Sequence, residues 1–338
     1  MPRRSLLLLL CIASIGCRKE EAVPDKEVDE AFVVLMPPGA PSLPVPSGNE
    51  PTVARVTLGK ALFFDERLST GNGISCASCH HADRAFGDTL PLSIGAQGLH
   101  GLRNAPTLAN VAWQPYLFAD GGMPTLEQQV LSPIHTEEEM ASNIVDAAAA
   151  LEGDERYAAL SRLGYGRELD PFVITRAIAC YERTLVSGWS RYDRYVYEGD
   201  QNALTDQERH GYELFTSASI GCSGCHSGYS LSDHSFRNVG LASDLVADPG
   251  RQRITLDPAD RGKFKVPTLR NVALTAPYMH DGSLATLDAV VAHFVGGGTE
   301  DPLKDPLVHP LDLSAQDQAD LVAFLHTLTD DRSLDQVP

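Results

Sequence analysis

Cys76, Cys79 and His80, and again Cys222, Cys225 and His226, form two copies of Cys-x-x-Cys-His. Two thiols at this spacing can add to the vinyl groups of a haem, and the His that follows becomes the proximal ligand of its iron. Both sulfurs must reach one edge of the porphyrin while the imidazole turns beneath its face. A structural zinc site is the alternative, since two Cys-x-x-Cys pairs could close a Cys₄ cage. The His after the second Cys in both copies, in a chain that begins like an exported one, favours two covalently bound haem c groups.

The start of the chain points out of the cytoplasm. Arg3 and Arg4 precede an apolar run over 6–15, too short to span a bilayer as a helix, and Gly16-Cys17 follows it. This reads as a lipoprotein signal peptide over 1–17 with Cys17 as the lipidated residue, although Ser14 stands where Leu or Val is usual. A plain secretory signal is the alternative. Either way the expected location is the periplasm, with a lipid anchor as the sole membrane contact in the first reading. Seven cysteines are then accounted for. Cys11 leaves with the signal, Cys17 carries lipid, four bind haem, and Cys180 lies in the apolar stretch 173–180 as a small buried hydrophobe. No pair is left for a disulfide. A formal net charge of −18 argues against nucleic acid and favours a basic redox partner or surface.

These motifs need elements to position them. With 338 residues, 43% hydrophobic and 21% charged, the chain is globular and has room for two domains. Residues 18–50, with Pro24, Pro37, Pro38, Pro41, Pro44 and Pro46, read as a flexible Pro-rich tether. Helical apolar spacing begins near Val53 and returns over 125–131, 137–151, 155–163 and 171–187. Thr205-x-x-Glu208 and Ser314-x-x-Asp317 are capping-box signals for two further helices. The stretch 227–262 reads as a long loop, and strand alternation is scarce. The expected fold is mainly α: two cytochrome c-like haem domains with long loops, 51–200 and 201–338.

With the motifs placed, the chain resembles the bacterial di-haem cytochrome c peroxidase family, including its MauG branch, from about Val56 to the last helix. The resemblance rests on Leu58-Gly59-Lys60-Ala61-Leu62-Phe63-Phe64-Asp65, Phe86-Gly87-Asp88, Arg103-Asn104-Ala105-Pro106-Thr107-Leu108 and Tyr181-Glu182-Arg183-Thr184-Leu185. It extends to Lys265-Val266-Pro267-Thr268-Leu269-Arg270-Asn271 and Ala276-Pro277-Tyr278-Met279-His280-Asp281-Gly282. It implies that the N-terminal haem reacts with peroxide while the C-terminal haem collects and relays electrons. It puts Glu139 at the distal acid–base carboxylate, a group needed to move a proton between the peroxide oxygens. A solvated acid of a helix start, like Glu137 and Glu138, is the alternative. His280 matches a family residue near the second haem and is expected to hydrogen-bond there. Asn104, Thr275 and Pro277 match the positions that hold a calcium ion through a side-chain oxygen and backbone carbonyls, a donor set suited to Ca²⁺; alternatively Asn104 only organises its turn.

Three departures from the family's pattern stand out. Many members carry a distal His that blocks the peroxidatic haem until reduction; here Ala96 holds that place, with Gln97 beside it as a candidate for the distal pocket and His100 off register. Phe294 stands where members have an axial Met or Tyr, and Phe cannot ligate iron. His293 is the candidate substitute, although one residue is about a 100° turn on a helix. Ala119 stands where a Trp usually precedes Asp-Gly between the haems, and Trp113 lies upstream.

The expectation is an oxidoreductase that reduces hydrogen peroxide with electrons from a small redox protein of the cytochrome c or cupredoxin type. One alternative is a MauG-like oxidase that uses peroxide to modify side chains of a partner protein. The other is a non-catalytic di-haem electron carrier.

Overall fold

The structure is a computed structural model that describes residues 28–241 and 244–337. Cys17, the signal segment and the first part of the tether lie outside the described residues. In chain order the helices are α1 (Val53–Phe63), α2 (Leu126–Gln129), α3 (Leu131–His135), α4 (Ile144–Ala150), α5 (Glu155–Tyr165), α6 (Pro171–Glu182), α7 (Arg191–Tyr197), α8 (Asp206–Thr216), α9 (Gln252–Thr255), α10 (Leu287–Val295) and α11 (Ala315–His326). The described strands are β1 (Phe236–Arg237) and β2 (Phe264–Lys265), antiparallel, with Phe236 opposite Lys265. The chain is mainly α, as expected.

Each half is built on one close helix pair, α1 with α6 and α8 with α11. The same device brings both pairs together. A Cβ on Gly59 of α1 would collide with the Ala177 carbonyl, and one on Gly211 of α8 with the Asp320 carbonyl, so glycine lets the axes approach. Local signals start these helices. Thr205 with Glu208 and Ser314 with Asp317 form the expected capping boxes, and Asp170 caps α6 ahead of Pro171 at its first position.

Three readings change. The helix expected over 137–151 is confined to Ile144–Ala150, because Asn143 caps it by accepting from Val145 and Asp146. The acids 137–139 stay in the preceding turn. Helix α6 ends at Glu182 rather than near 187. The unanticipated α7 starts at a Ser190–Asp193 capping box.

The described part of the expected tether is extended but docked. Phe32 packs on the first apolar cluster, and Leu35 donates its N–H to Gln336 Oε1. Asn49 is only 3% exposed and donates to Glu127 Oε1 and to the Arg176 carbonyl. A proline-rich run has few N–H groups for a ladder, so it is held by side chains instead. The first apolar cluster runs from Val56 to Leu185 and takes in Leu334 and Val337 from the C-terminus; the second runs from Tyr192 to Leu328. Packing thus changes partner between Leu185 and Tyr192, and the chain's end returns to the first half.

Candidate haem sites and the seam between them

Both Cys-x-x-Cys-His motifs are wound into one short turn each. His80 N–H donates to the Cys76 carbonyl and His226 N–H to the Cys222 carbonyl, both across 3.0 Å. The rings are then fixed in the same way. His80 Nδ1 donates to the Phe86 carbonyl at 2.7 Å, and His226 Nδ1 to the Leu231 carbonyl at 3.0 Å. Phe86 and Leu231 both adopt left-handed backbone, at φ 59° and 48°. With Nδ1 committed, Nε2 of each ring is the nitrogen left to bind a metal, and a hydrogen-bonded second nitrogen is the usual arrangement for a ligand His. Burial holds both imidazoles neutral by pushing their pKa down.

Cys76 packs against the first apolar cluster and Cys222 against the second. The pairs therefore cannot share a Cys₄ zinc cage, and each Cys-Cys-His set has the donors a haem c requires. Burial drives the Cys76 thiol well above its ordinary range and the Cys222 thiol up to about 11.

Glu139 joins the first site. Its charge is felt at both Cys76 and Cys79. It is half-buried, whereas Glu137 and Glu138 are exposed, and burial followed by the neighbouring Glu138 raises its pKa. Ala96 N–H donates to the Glu139 carbonyl at 2.7 Å, and Gly95 lies so close that a Cβ would overlap the Glu138 carbonyl. Asp88 organises this loop by accepting from the N–H groups of Thr89 and Leu90 and from the Ser93 hydroxyl. Gln97 and His100 are exposed, and no hydrogen bond joins the Gln97 side chain to any described residue. Glu182 was not singled out as a site residue. It is buried near Cys76, with Oε2 unpartnered among the described residues, and burial pushes its carboxyl up to about 8.

His280, expected by resemblance near the second haem, stacks on Phe264, ring centroids 3.6 Å apart and 12° from parallel, and burial lowers its pKa. His293, in the last turn of α10, places Nε2 3.0 Å from the Val239 carbonyl. That hydrogen bond engages one of the two nitrogens it could offer iron. Phe294 beside it is half-buried.

The seam between the halves is polar and paired. Arg103 binds Asp120 of the first half at 2.7 Å and clamps Asp248 of the second through two 2.7 Å bonds. Arg253 adds a 3.0 Å contact to Asp120. Lys265 N–H donates to the Ala119 carbonyl at 2.7 Å, which brings β2 and Phe264 against the loop where the family's Trp would stand. The Lys265 ammonium binds Gln114 and the Tyr116 carbonyl, and burial pulls its pKa down to about 8. None of these pairings is visible as spacing, because their members come from distant segments. Asn104 donates its side-chain amide to the Leu90 and Pro91 carbonyls at 3.0 and 3.3 Å, and its N–H to the His280 carbonyl. Pro277 follows a cis peptide bond, and the Thr275 side chain lies beside Gly87. Trp113 donates Nε1–H to the Ser42 carbonyl and does not fill the place of Ala119.

The profile of the di-haem cytochrome c peroxidase family matches residues 53–202. The methylamine utilization protein MauG of Methylorubrum extorquens is 37% identical, with 85% of this chain and 81% of that protein covered. Cytochrome-c peroxidase IdrP1 of Denitromonas iodatirespirans is 35% identical over 96% of this chain and 93% of its own. Cytochrome c551 peroxidase of Nitrosomonas europaea is 35% identical over 88% and 86%. Among solved structures, a MauG-like protein associated with microbial copper homeostasis superposes with a TM-score of 0.85 at 34% identity, covering 90% of this chain and 98% of that one. The proximal histidines, the separated thioether pairs and these relatives agree: the chain belongs to the di-haem cytochrome c peroxidase family, oxidoreductases with two covalently bound haem c groups.

Proposed function

We propose that this enzyme reduces hydrogen peroxide to water at the N-terminal haem, with electrons passed from the C-terminal haem. The observation that carries this reading is Glu139, a half-buried acid of raised pKa beside Cys76 and Cys79, tied through its carbonyl to Ala96. Haem iron held by His80 supplies the O–O cleavage chemistry. Glu139 takes the proton from the inner peroxide oxygen and returns it to the outer one, which then leaves as water. Ala96 offers no ligand atom, so this position would not block peroxide from the haem that His80 would hold, and no prior reduction would be needed to free it. His226 would hold the second haem, and the family likeness puts His280, stacked on Phe264, near it. The acidic surface suits a small basic donor of the cytochrome c or cupredoxin type.

Peroxide-dependent modification of a partner protein is the second reading. Ala96 and Phe294 favour it, as does likeness to MauG relatives. A non-catalytic carrier is disfavoured, since it would want a sixth ligand where Ala96 stands. The Asn104 side-chain oxygen with the Thr275 and Pro277 carbonyls would hold a Ca²⁺ ion at the seam. The periplasm is the compartment that fits haem c attachment and the start of the chain. No helix among the described residues is long and apolar enough to cross a membrane.

Electron paramagnetic resonance of the oxidised protein, with and without peroxide, tests the proposal. A high-spin haem signal should be present and should vanish at once on adding peroxide. A protein that stays inert until it receives an electron rules the reading out. Turnover with a reduced donor protein then separates peroxide reduction from partner modification.

A further inference from the structure

Peroxide reduction consumes protons as well as electrons. Glu139 only shifts hydrogen between the peroxide oxygens, so the first water carries away both of peroxide's own hydrogens. The oxygen left behind needs two electrons and two protons from outside to become the second water. One cluster of side chains fits that need. Of the six buried side-chain atoms without a hydrogen-bond partner among the described residues, three belong to consecutive residues at the C-terminal end of α6. They are the Tyr181 hydroxyl, Glu182 Oε2 and Arg183 Nη1.

Successive residues on a helix point about 100° apart, so the three face different ways. Tyr181 packs on the Phe63 and Phe86 rings. Arg183, only 5% exposed, lines an open cavity of about 360 Å³ and binds Glu127 on its wall at 2.7 Å. The lining includes the exposed Pro44, Val45 and Pro46 and the loop residues Ala112 and Leu117. Glu182 lies between this cavity and the first haem site. Its carboxyl feels Arg183 and Glu127 on one side, and Cys76 feels both Glu182 and Glu139 on the other. We infer that Glu182 is a proton shuttle, which takes protons from water in the Arg183–Glu127 cavity and hands them to the first haem site, where Glu139 works.

A purely structural role does not explain this placement. An acid buried for packing alone is expected to be paired, because an unpartnered polar atom costs stability. Glu182 is 5% exposed, its Oε2 is bonded to no described residue, and Arg183 turns to Glu127 instead. Burial keeps the carboxyl protonated, pushing its pKa up to about 8 against the pull of Arg183. A neutral carboxyl can give up a proton and take one back, which is what a shuttle requires. Water is small enough to bridge it to the cavity, and Oε2, Arg183 Nη1 and the Glu127 carboxylate are the polar partners such a water needs. The cycle balances. For each H₂O₂ the shuttle delivers two protons, one for each electron from the donor, and regains each from the cavity.

The route rests on the peroxidase reading above for what consumes its protons, so one arm of the test uses no peroxide. In that arm the oxidised di-haem protein is mixed with D₂O and its carboxyl bands are followed by infrared spectroscopy. Glu182→Gln should remove one protonated-carboxyl band. In the parent that band should shift to its deuterated position well before the core amides exchange. Ala112→Phe, which fills the cavity, should slow the shift by ~10-fold or more, since exchange must then await local opening. In the second arm, protein with both haems reduced is mixed with peroxide and its return to the oxidised spectrum is timed. Glu182→Gln should slow that return by ~10²-fold or more, and Glu182→Asp should restore part of it. Ala112→Phe should slow it as well, which judges the route even if Glu182→Gln folds poorly. A parent inert to peroxide, whose band shifts fast and is slowed by Ala112→Phe, keeps the route and loses the peroxidase reading. No band lost in Glu182→Gln, a parent band that shifts only with the core amides, or equal return rates in the parent and both variants overturns the route.

Discussion

The backbone N–H of Ala96 donates to the carbonyl of Glu139 across 2.7 Å. Ala96, which the resemblance puts at the place of a blocking His, is therefore hydrogen-bonded to the backbone of the acid proposed to move peroxide protons. The loop that carries Ala96 thus holds the backbone of Glu139.

Gly95→Ala should break this relationship. The added Cβ would overlap the Glu138 carbonyl and come within 2.7 Å of the Glu139 carbonyl, so the acid's backbone must shift. Misplacement on the scale of 1 Å can remove ~10²-fold in rate, and the clash should lower stability by about 1–3 kcal/mol. Haem stoichiometry by pyridine haemochrome should stay at the parent level. Turnover within a few-fold of the parent would show that the loop does not position Glu139.

Glu139→Gln should keep both haems while peroxide turnover falls by ~10²–10⁴-fold. Burial and Glu138 raise this carboxyl's pKa, so its basic form appears at a higher pH than that of a solvated Glu. The parent's kcat/KM should therefore fall as pH drops through that raised value, and the acid limb should be missing in the Gln variant. Matching pH profiles for the two proteins would remove Glu139 from proton transfer.

Glu182 should make stability pH-dependent. Its folded pKa of about 8 lies above the ordinary Glu value of 4.5, so across that window the native state binds a proton that the unfolded chain has lost. Its contribution is full below about 4.5 and is lost as pH rises through about 8, at a slope of up to ~1.4 kcal/mol per pH unit. Glu182→Gln should flatten the curve. Denaturant titrations of the holoprotein between pH 5 and 9 measure this, and parallel curves would show the acid to be ionised in the fold.

His293→Ala should leave the spin state of the second haem unchanged, because the Val239 carbonyl engages the outer ring nitrogen, Nε2, at 3.0 Å and leaves for iron only Nδ1, the nitrogen nearer the helix backbone. Low-temperature electron paramagnetic resonance reads this directly. Conversion of a low-spin signal to high spin would instead identify His293 as the axial ligand.

Features written over short spans were legible in the sequence. The Cys-x-x-Cys-His turns and the Thr205–Glu208 and Ser314–Asp317 caps join residues three or four apart, where covalent geometry alone brings partners together. The choice of Glu139 over Glu137 and Glu138 came from resemblance, and only folding set it apart by leaving it half-buried while its neighbours face water. The docked segment 28–50, the Arg103–Asp120–Asp248 clamp and the Lys265–Ala119 bond also needed the fold. So did the His293–Val239 contact, which commits one ring nitrogen of the candidate ligand to a hydrogen bond. Each of these joins segments far apart in the chain, and no local pattern records such a pairing. It is decided by which surfaces remain to be buried once α1 meets α6 and α8 meets α11.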